Sequence, residues 1–479
     1  MAATLIRLLS VQLTMGEIAA ILGAHLEGTA RAVRGYSIDS RTVAAGELFF
    51  AIRGPHFDGH NFIGAAIEKG AAGVVVEESY QAGDSGEVAA LIRVPDTTRS
   101  LQRLAHAVRQ RWAGRVIGIT GSAGKTTTKE MIAAALATRY RTLKSPGNLN
   151  NHYGVPLTLL RLHPEHEVAV IEMAMSGPGE IAMLAGLAEP QTGVVTNVAP
   201  AHLEFLDSVE AIAAAKRELI DHLSPPSAAV LNHDDPRVRE FAHGFRGQVV
   251  TFGLSEGADY RATGVCGSHD TQGGIPSTEF EVEGPVYAGR FSIPLPGRHN
   301  VENALAAIAT ASLFGIPVDA LRTALAAARP PGQRMEILTL AHNITVINDA
   351  YNSNPRAMQR MIETLAGWPG AARRLVLAGE MLELGPSSPD WHRRIGRDLA
   401  QAGVDWLLAV QGDARFFLEG AAEAGFPASR ARFFSDAGEC GRFCRTVAEP
   451  GDVILVKGSR EVGLERAIEI LKGPLATTQ

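Results

Sequence analysis

Short apolar runs alternate with stretches of helical periodicity along most of the chain. "GELFFAIRG", "AAGVVVEES" and "AALIRVPD", all ahead of Thr98, set apolar positions between turn formers and predict short strands. A helix is predicted over "RSLQRLAHAVRQRWAG", where Leu101, Leu104, Ala105 and Val108 recur at helical spacing. "RVIGIT" then reads as a buried strand running straight into a glycine-rich turn. Beyond it "EVAVIEMA", "TGVVTNVA" and "SAAVLN" repeat the strand pattern, each followed by polar or helix-like sequence, as in a parallel sheet with crossover helices. Residues 248–297 change character: "QVVTFG", "STEFEVEG" and "GRFSIPLPG" alternate like antiparallel strands and predict a β-rich insertion before the helix "NVENALAAIATASLFG".

"RPPGQRME" is the clearest linker, with prolines and a glycine at a break in composition. Past it "ITVINDAY", "RRLVLAGE", "DWLLAVQG" and "DVILVKGS" predict four more strands with helices between them. The expected fold class is α/β in three domains: a small α/β domain over residues 1–98, a central parallel-sheet domain over 99–329 and a third α/β domain over 330–479. A length of 479 residues suits two to three cores.

Composition narrows the function classes. Hydrophobic residues make up 46% and charged ones 20%, as in an ordinary soluble protein. A net charge of −6 argues against a general nucleic-acid binder. Cys266, Cys440 and Cys444 make neither a disulfide framework nor a Cys-x-x-Cys zinc site, which fits a reducing compartment. The opening stretch interrupts its apolar positions with Arg7, Gln12 and Glu17, so it lacks a signal-peptide core, and no later run is long enough to span a bilayer. A cytoplasmic enzyme, monomeric and without membrane insertion, is the expectation.

The candidate chemistry centres on "ITGSAGKTTTKE", residues 119–130. A glycine-rich turn between strand and helix exposes N–H groups that converge on anionic oxygens, and the helix start adds its positive dipole end. A lysine there reaches the β- and γ-phosphates, and the next hydroxyl can bind Mg²⁺. "RVIGIT", "GSAG", Lys125, Thr126 and "TKEMIAAALATRY" supply each part, although Ile119 stands where the usual spacing wants a glycine. The bland alternative is a tight turn with a solvated lysine. Glu172 ends "VAVIE" at the carboxyl edge of the predicted sheet, where a carboxylate suits Mg²⁺ or simply faces water. His202 also follows a strand; alone it reads more readily as a hydrogen-bonded loop histidine than as a ligand.

Read in order, "ITGSAGKTTTKE", "GNLNNHYGVPLTLL", "IEMAMSGPGEI", "TNVAPAHLEFLDSVEAIAAAKREL", "LNHDD" and "GRHNVENALAA" closely resemble the Mur ligase family of ATP-dependent amide-forming enzymes. "GQRMEI", "INDAYNSNPRAM", "LAGEMLELG" and "VKGSR" look like its branch that adds D-alanyl-D-alanine to UDP-N-acetylmuramoyl-tripeptide. "SIDSRTVAAGELFFAIRGPHFDGHNF" looks like its uridine-nucleotide-binding domain. The resemblance covers nearly the whole chain. It implies a UDP-binding first domain, a central P-loop ATPase and a Rossmann-like third domain that closes over the site and binds the incoming dipeptide. It also implies bacterial cell-wall synthesis, with ATP and Mg²⁺ as cofactors and with UDP-N-acetylmuramoyl-tripeptide and D-alanyl-D-alanine as partners.

Residue roles follow from the same resemblance. Gly121, Ser122, Ala123, Gly124, Lys125, Thr126 and Thr127 would cradle ATP. Thr126, Glu172 and His202 would hold Mg²⁺, with Lys216 matching a lysine that some of these ligases carry as a carbamate. Asn150 and Asn151 would lie near the phosphoryl acceptor, and His299, Asn300 and Asn303 near adenine. Arg334 would reach the γ-phosphate and Asp349 the ribose. Asp39, Ser40 and Arg41, with Asp58, Gly59 and His60, would hold the UDP-sugar, and Tyr351, Asn352 and Asn354 the dipeptide. Locally, "DGH" and "YNSNP" are also plausible turns and Asp39–Arg41 a plausible surface ion pair. Competing functions are a sister ligase adding another residue, a folylpolyglutamate synthase-like ligase, which would usually lack the uridine-binding block, and a GTP switch, which would want an Asn-Lys-x-Asp motif that is absent.

Overall fold

The computed structural model describes residues 13–29, 31–81, 90–201, 203–268, 277–329 and 332–473. They form three sheets in sequence order. The first contains β1 (Leu26–Gly28), β2 (Gly35–Ser37), β3 (Glu47–Phe50), β4 (Gly73–Glu77) and β5 (Ala90–Val94), in the order β1-β5-β4-β3-β2. Strands β2 to β5 are parallel, and β1 is antiparallel to β5. Alternate side chains serve opposite faces, as the two-residue period of a strand requires. Phe49, Val74 and Val76 pack with Ile63 and Ala66. Leu48, Phe50, Val75 and Ile92 face the other way, against the helices Met15–Leu22 and Thr97–Arg111.

That second face does not end at the first sheet. One buried cluster runs from it through Leu101, Leu104 and Val108 to Val155, Ile171, Met173, Ile212 and Leu219 around the central sheet. The first two sheets are therefore welded by a continuous apolar core. The third sheet has separate clusters of its own on its two faces.

The central sheet comprises β6 (Arg115–Thr120), β7 (Thr142–Lys144), β8 (Val168–Glu172), β9 (Thr192–Val195), β10 (Ala228–Asn232), β11 (Gln248–Gly253), β12 (Tyr260–Ser268), β13 (Ser277–Glu283) and β14 (Gly289–Ile293). Its order is β14-β13-β12-β11-β10-β9-β6-β8-β7. The alternating segments around β13 and β14 are antiparallel as expected. β11 is not: it runs parallel to both β10 and β12. Period-two alternation reports which face is buried and carries no information on strand direction.

The third sheet, β15 (Glu336–Thr339), β16 (Thr345–Asp349), β17 (Arg374–Gly379), β18 (Trp406–Val410), β19 (Ala431–Phe434) and β20 (Val453–Lys457), has the order β15-β16-β20-β17-β18-β19. All but β15 run parallel. Open parallel sheets take ligands outside their carboxyl ends. Here β6 and β8 of the central sheet and β16 and β20 of the third deliver their carboxyl ends to one shared cavity. No helix among the described residues is long and apolar enough to cross a membrane.

Candidate active site between two sheets

Two positions of the turn after β6 have no room for a side chain. Gly121 has φ of 148° and Gly124 of 83°, both in the region that favours glycine. A Cβ would fall 1.9 Å from Thr196 Oγ1 at Gly121 and 2.4 Å from Asn303 Oδ1 at Gly124. The end of β9 braces the turn. Ser122 N–H donates to the Asn197 carbonyl at 2.9 Å, Ala123 N–H to Asn197 Oδ1 at 3.0 Å, and the Thr196 hydroxyl to the Ala123 carbonyl at 2.6 Å. The helix Lys125–Ala137 that follows has no side-chain cap and no acid in its first turn. Its leading N–H groups are thus left for an external anion.

Lys125 Nζ donates to the Gly121 carbonyl at 2.7 Å, folded back over the turn. Burial holds its ammonium below the ordinary lysine range, with Glu172 opposing the shift and Arg334 adding to it. Glu172 is 1% exposed. Its Oε1 accepts from the Thr126 hydroxyl at 3.1 Å and from the Asn150 amide at 2.8 Å. Its Oε2 accepts no hydrogen bond. Lys129 Nζ stands 3.6 Å from that oxygen and donates to the carbonyls of Ser145 at 2.8 Å and Gly147 at 3.0 Å. Lys129, fully buried one turn beyond Lys125, went unread in the sequence; its only signal is the four-residue spacing that puts it on the same helix face.

Lys216, on the helix Val209–Asp221, is 2% exposed and has neither an ion pair nor a side-chain hydrogen bond among the described residues. Burial, then Lys125, hold its pKa well below the lysine range. His202 lies outside the described residues. No group of three His, Cys, Asp or Glu side chains gathers as a metal cluster among the described residues. A buried carboxylate oxygen that accepts no hydrogen bond, in a side chain bonded to the Thr126 hydroxyl, nevertheless suits a hard cation, which takes oxygen ligands.

The third sheet closes the other side. Arg334 follows the linker between two residues of positive φ, Gln333 at 60° and Met335 at 56°. Its guanidinium carbon stacks 3.9 Å from the Tyr351 ring centroid. Met335 N–H donates to Asp349 Oδ1 at 3.0 Å and Tyr351 N–H to the Gln333 carbonyl at 3.1 Å, so linker and strand end hold each other. Lys457, also unread as a site residue, donates to Asp349 Oδ2 at 2.5 Å and to the Asn352 carbonyl at 2.9 Å. Asn352 Oδ1 accepts from Ser353 N–H at 2.8 Å. Asn354 caps the helix Pro355–Ala366 and extends its amide to the Ser122 carbonyl at 3.5 Å.

A polar chain ties the phosphate-loop helix to the linker. The Thr128 hydroxyl donates to Asn303 Oδ1 at 3.2 Å, the Asn303 amide to Asn300 Oδ1 at 3.2 Å, and the Asn300 amide contacts Met335 Sδ at 3.4 Å. Beside it Arg360 of the third domain pairs with Glu302 of the central one at 2.5 Å. Burial, then Arg360 and Lys457, push the pKa of His299 down to about 3.

Ser122, Ala123, Gly124, Lys125, Thr127, Asn150, Glu172, His299, Asn300, Asn303, Arg334, Asp349, Tyr351, Asn352 and Asn354 line a single cavity of about 290 Å³. Gly121 and Thr126 stand behind its lining through the contacts above, and Lys216 is not in the lining. Asn151 is turned away: its Oδ1 accepts from Tyr153 N–H at 3.2 Å and Gly154 N–H at 2.9 Å, ordering the next helix. The first-domain residues are not in the lining. Asp39 and Arg41, with Ser40 between them, form a two-bond pair at 2.9 and 2.8 Å in which Arg41 is 86% exposed and holds the Asp39 carboxyl low. Asp58 accepts from both His60 N–H at 3.0 Å and His60 Nδ1 at 2.6 Å, while His60 Nε2 accepts from Glu77 N–H at 3.0 Å. The proton therefore sits on Nδ1. Gly59 has no room for a side chain, since a Cβ would fall 2.6 Å from Ile52 N.

Three family models match this chain: the Mur ligase catalytic domain over residues 32–111, the Mur ligase middle domain over 119–311 and the Mur ligase glutamate ligase domain over 333–460. The chain belongs to the Mur ligase family. Among curated members, the UDP-N-acetylmuramoyl-tripeptide–D-alanyl-D-alanine ligase of Bacillus subtilis is 35% identical over 93% of this chain and 94% of its own. The Escherichia coli enzyme of the same name is 35% identical over 96% and 99%. A crystal structure of MurF from Acinetobacter baumannii superposes with a TM-score of 0.85 at 29% identity, covering 96% of this chain and 99% of that one. MurF ligase from Thermotoga maritima, in complex with ADP, gives 0.78 at 30% identity over 92% and 97%. The three-sheet α/β architecture is thus that of the Mur ligases, and nucleotide use belongs to it.

Proposed function

We propose that this Mur ligase uses ATP to join D-alanyl-D-alanine to UDP-N-acetylmuramoyl-tripeptide in the cytoplasm, through an acyl phosphate, for peptidoglycan synthesis. The names of its relatives support the reaction. The observation in this chain that carries it is the single cavity in which Lys125 and Glu172 from around the central sheet meet Arg334 and Asp349 from around the third.

A carboxylate is a poor electrophile because its leaving group would be oxide. Attack of a carboxylate oxygen on the γ-phosphorus expels ADP and gives a mixed anhydride. The dipeptide amine then attacks the carbonyl carbon, and phosphate leaves with the former carboxylate oxygen. The first step brings two anions together, so catalysis is mostly charge stabilisation and positioning. Lys125 and the free N–H groups of its helix would bind the β- and γ-phosphates. Arg334, braced on Tyr351, would face the transferred group from the opposite wall. Asn150, which donates to Glu172, would meet the acceptor carboxylate. Asp349, tied to Lys457 and Met335 N–H, would present its remaining acceptor capacity to the ribose. Enclosure between two domains would protect the anhydride from water.

Thr126, Glu172 and His202 would hold Mg²⁺, which offsets phosphate charge when bound. The burial of Lys216 favours its neutral amine, the form that reacts with CO₂ to give a carbamate and a proton, and this supports the carbamate reading. The first-domain clusters around Asp39–Arg41 and Asp58–His60 would meet the UDP end of the substrate. A coupled phosphate-release assay tests the function. Release is expected only with UDP-N-acetylmuramoyl-tripeptide and D-alanyl-D-alanine together, and equal release with the dipeptide omitted or with glutamate in its place would overturn it.

A further inference from the structure

The segment after β20 carries a cation that the mechanism above does not use. Gly458, Ser459 and Arg460 continue from Lys457 at the carboxyl edge of the third sheet. Their backbone is fixed. Gly458 lies so close to β17 that a Cβ on it would fall 2.8 Å from the Gly379 Cα. Ser459 N–H donates to the Glu380 carbonyl at 3.0 Å, and Ser459 Oγ accepts from Leu382 N–H at 2.9 Å. Arg460 opens the short turn Arg460–Val462 and is exposed. Its guanidinium carbon lies 5.5 Å from the Tyr351 ring centroid, the same ring that carries Arg334 at 3.9 Å. Among the described residues the Arg460 side chain makes no ion pair and no hydrogen bond.

A guanidinium beside a ring but lacking an acid is available to a planar anion, which it can bind through two parallel N–H donors. Tyr351 and Arg334 line the cavity; Arg460 stands just beyond them. The two guanidinium carbons can be no farther apart than the sum of their distances to the shared ring. A dipeptide spans at most roughly 7 Å when extended. With its amine at the acyl phosphate beside Arg334, its far carboxylate comes within reach of Arg460.

We infer that Arg460 binds the terminal carboxylate of the incoming dipeptide. This rests on the ligase reading above. The test compares D-alanyl-D-alanine with its C-terminal amide in the wild type and in Arg460→Gln, by phosphate release at saturating ATP and UDP-peptide. The variant should raise the KM for the dipeptide roughly 10- to 100-fold, the range for a lost hydrogen-bonded charge. Its kcat, its KM for ATP and its KM for the amide should stay within about twofold of the wild type, since truncating a uniform binding contact moves KM alone. An unchanged dipeptide KM overturns the assignment. So does an equal rise for acid and amide, which would make Arg460 a packing residue. A wild type that turns over neither acceptor overturns the ligase reading itself, and the inference falls with it.

Discussion

The two junctions of this molecule are built from opposite materials. The first and central sheets share one apolar cluster that passes through Leu101, Leu104 and Val108. The central and third sheets meet across charge: Lys125, Glu172, His299, Arg334, Asp349, Arg360 and Lys457 all line the cavity between them. An apolar weld fixes orientation and is costly to open. A polar junction can part and re-form, because water replaces the contacts it loses. The difference assigns tasks. The welded pair would form a rigid platform carrying the UDP end and the phosphates, and the third domain would bring Arg334 and the dipeptide to it.

Substitutions at the two junctions should fail in different currencies. Lys125→Ala should cost a hundredfold or more in kcat with the melting temperature little changed, because its charge would act on phosphate and not on the core; thermal unfolding and steady-state kinetics read the two. Leu104→Ala, at 0% exposure in the weld, should do the reverse. It should lose about 3 kcal/mol of stability to denaturant while the folded fraction keeps its kcat. Arg334→Ala should lower kcat about tenfold or more with little change in the KM for UDP-peptide. Scattering that finds wild type equally compact with and without ATP and UDP-peptide would count against closure.

His299 probes the polar junction through pH. Its folded pKa of about 3 lies below the unfolded value of about 6.5. As pH falls through 6.5 the unfolded chain takes up the proton first, so the stability present above that value is lost progressively towards pH 3. His299→Gln should flatten that part of the acid-stability curve, and an unaltered curve would place the imidazole in a solvated setting. The smallest effect is expected at Arg41, exposed and paired only with its neighbour Asp39. Arg41→Ala should raise the KM for UDP-peptide a few-fold and leave kcat and the KM for ATP in place, whereas a shift in the KM for ATP alone would move Arg41 out of the uridine site.

The same contrast explains what the sequence made legible. β6, β8, β9, β10, β16, β17, β18 and β20 are buried parallel strands and announce themselves as apolar runs. β1, β2, β7, β15 and β19 do not, because they are short edge strands with few buried positions. β12 is interior yet equally hidden: Gly264 and Gly267 thin its apolar signal, and its register shifts between Thr263 and Cys266. The phosphate loop is readable because strand, turn, lysine and helix are contiguous. Lys129 against Glu172, Lys457 against Asp349 and Arg360 against Glu302 are pairings over long sequence distances, and only the fold reveals them.

The central claim is that the two walls of the cavity bring a carboxylate to the γ-phosphate and that the carboxylate, not water, receives it. Isotope transfer tests this most directly. UDP-N-acetylmuramoyl-tripeptide labelled with ¹⁸O in its terminal carboxylate is turned over with ATP and D-alanyl-D-alanine, and the released phosphate is examined by mass spectrometry. The account predicts one ¹⁸O atom in each phosphate, carried over as the amine displaces it from the anhydride. Phosphate free of label, with dipeptide addition proceeding at the normal rate, would contradict it.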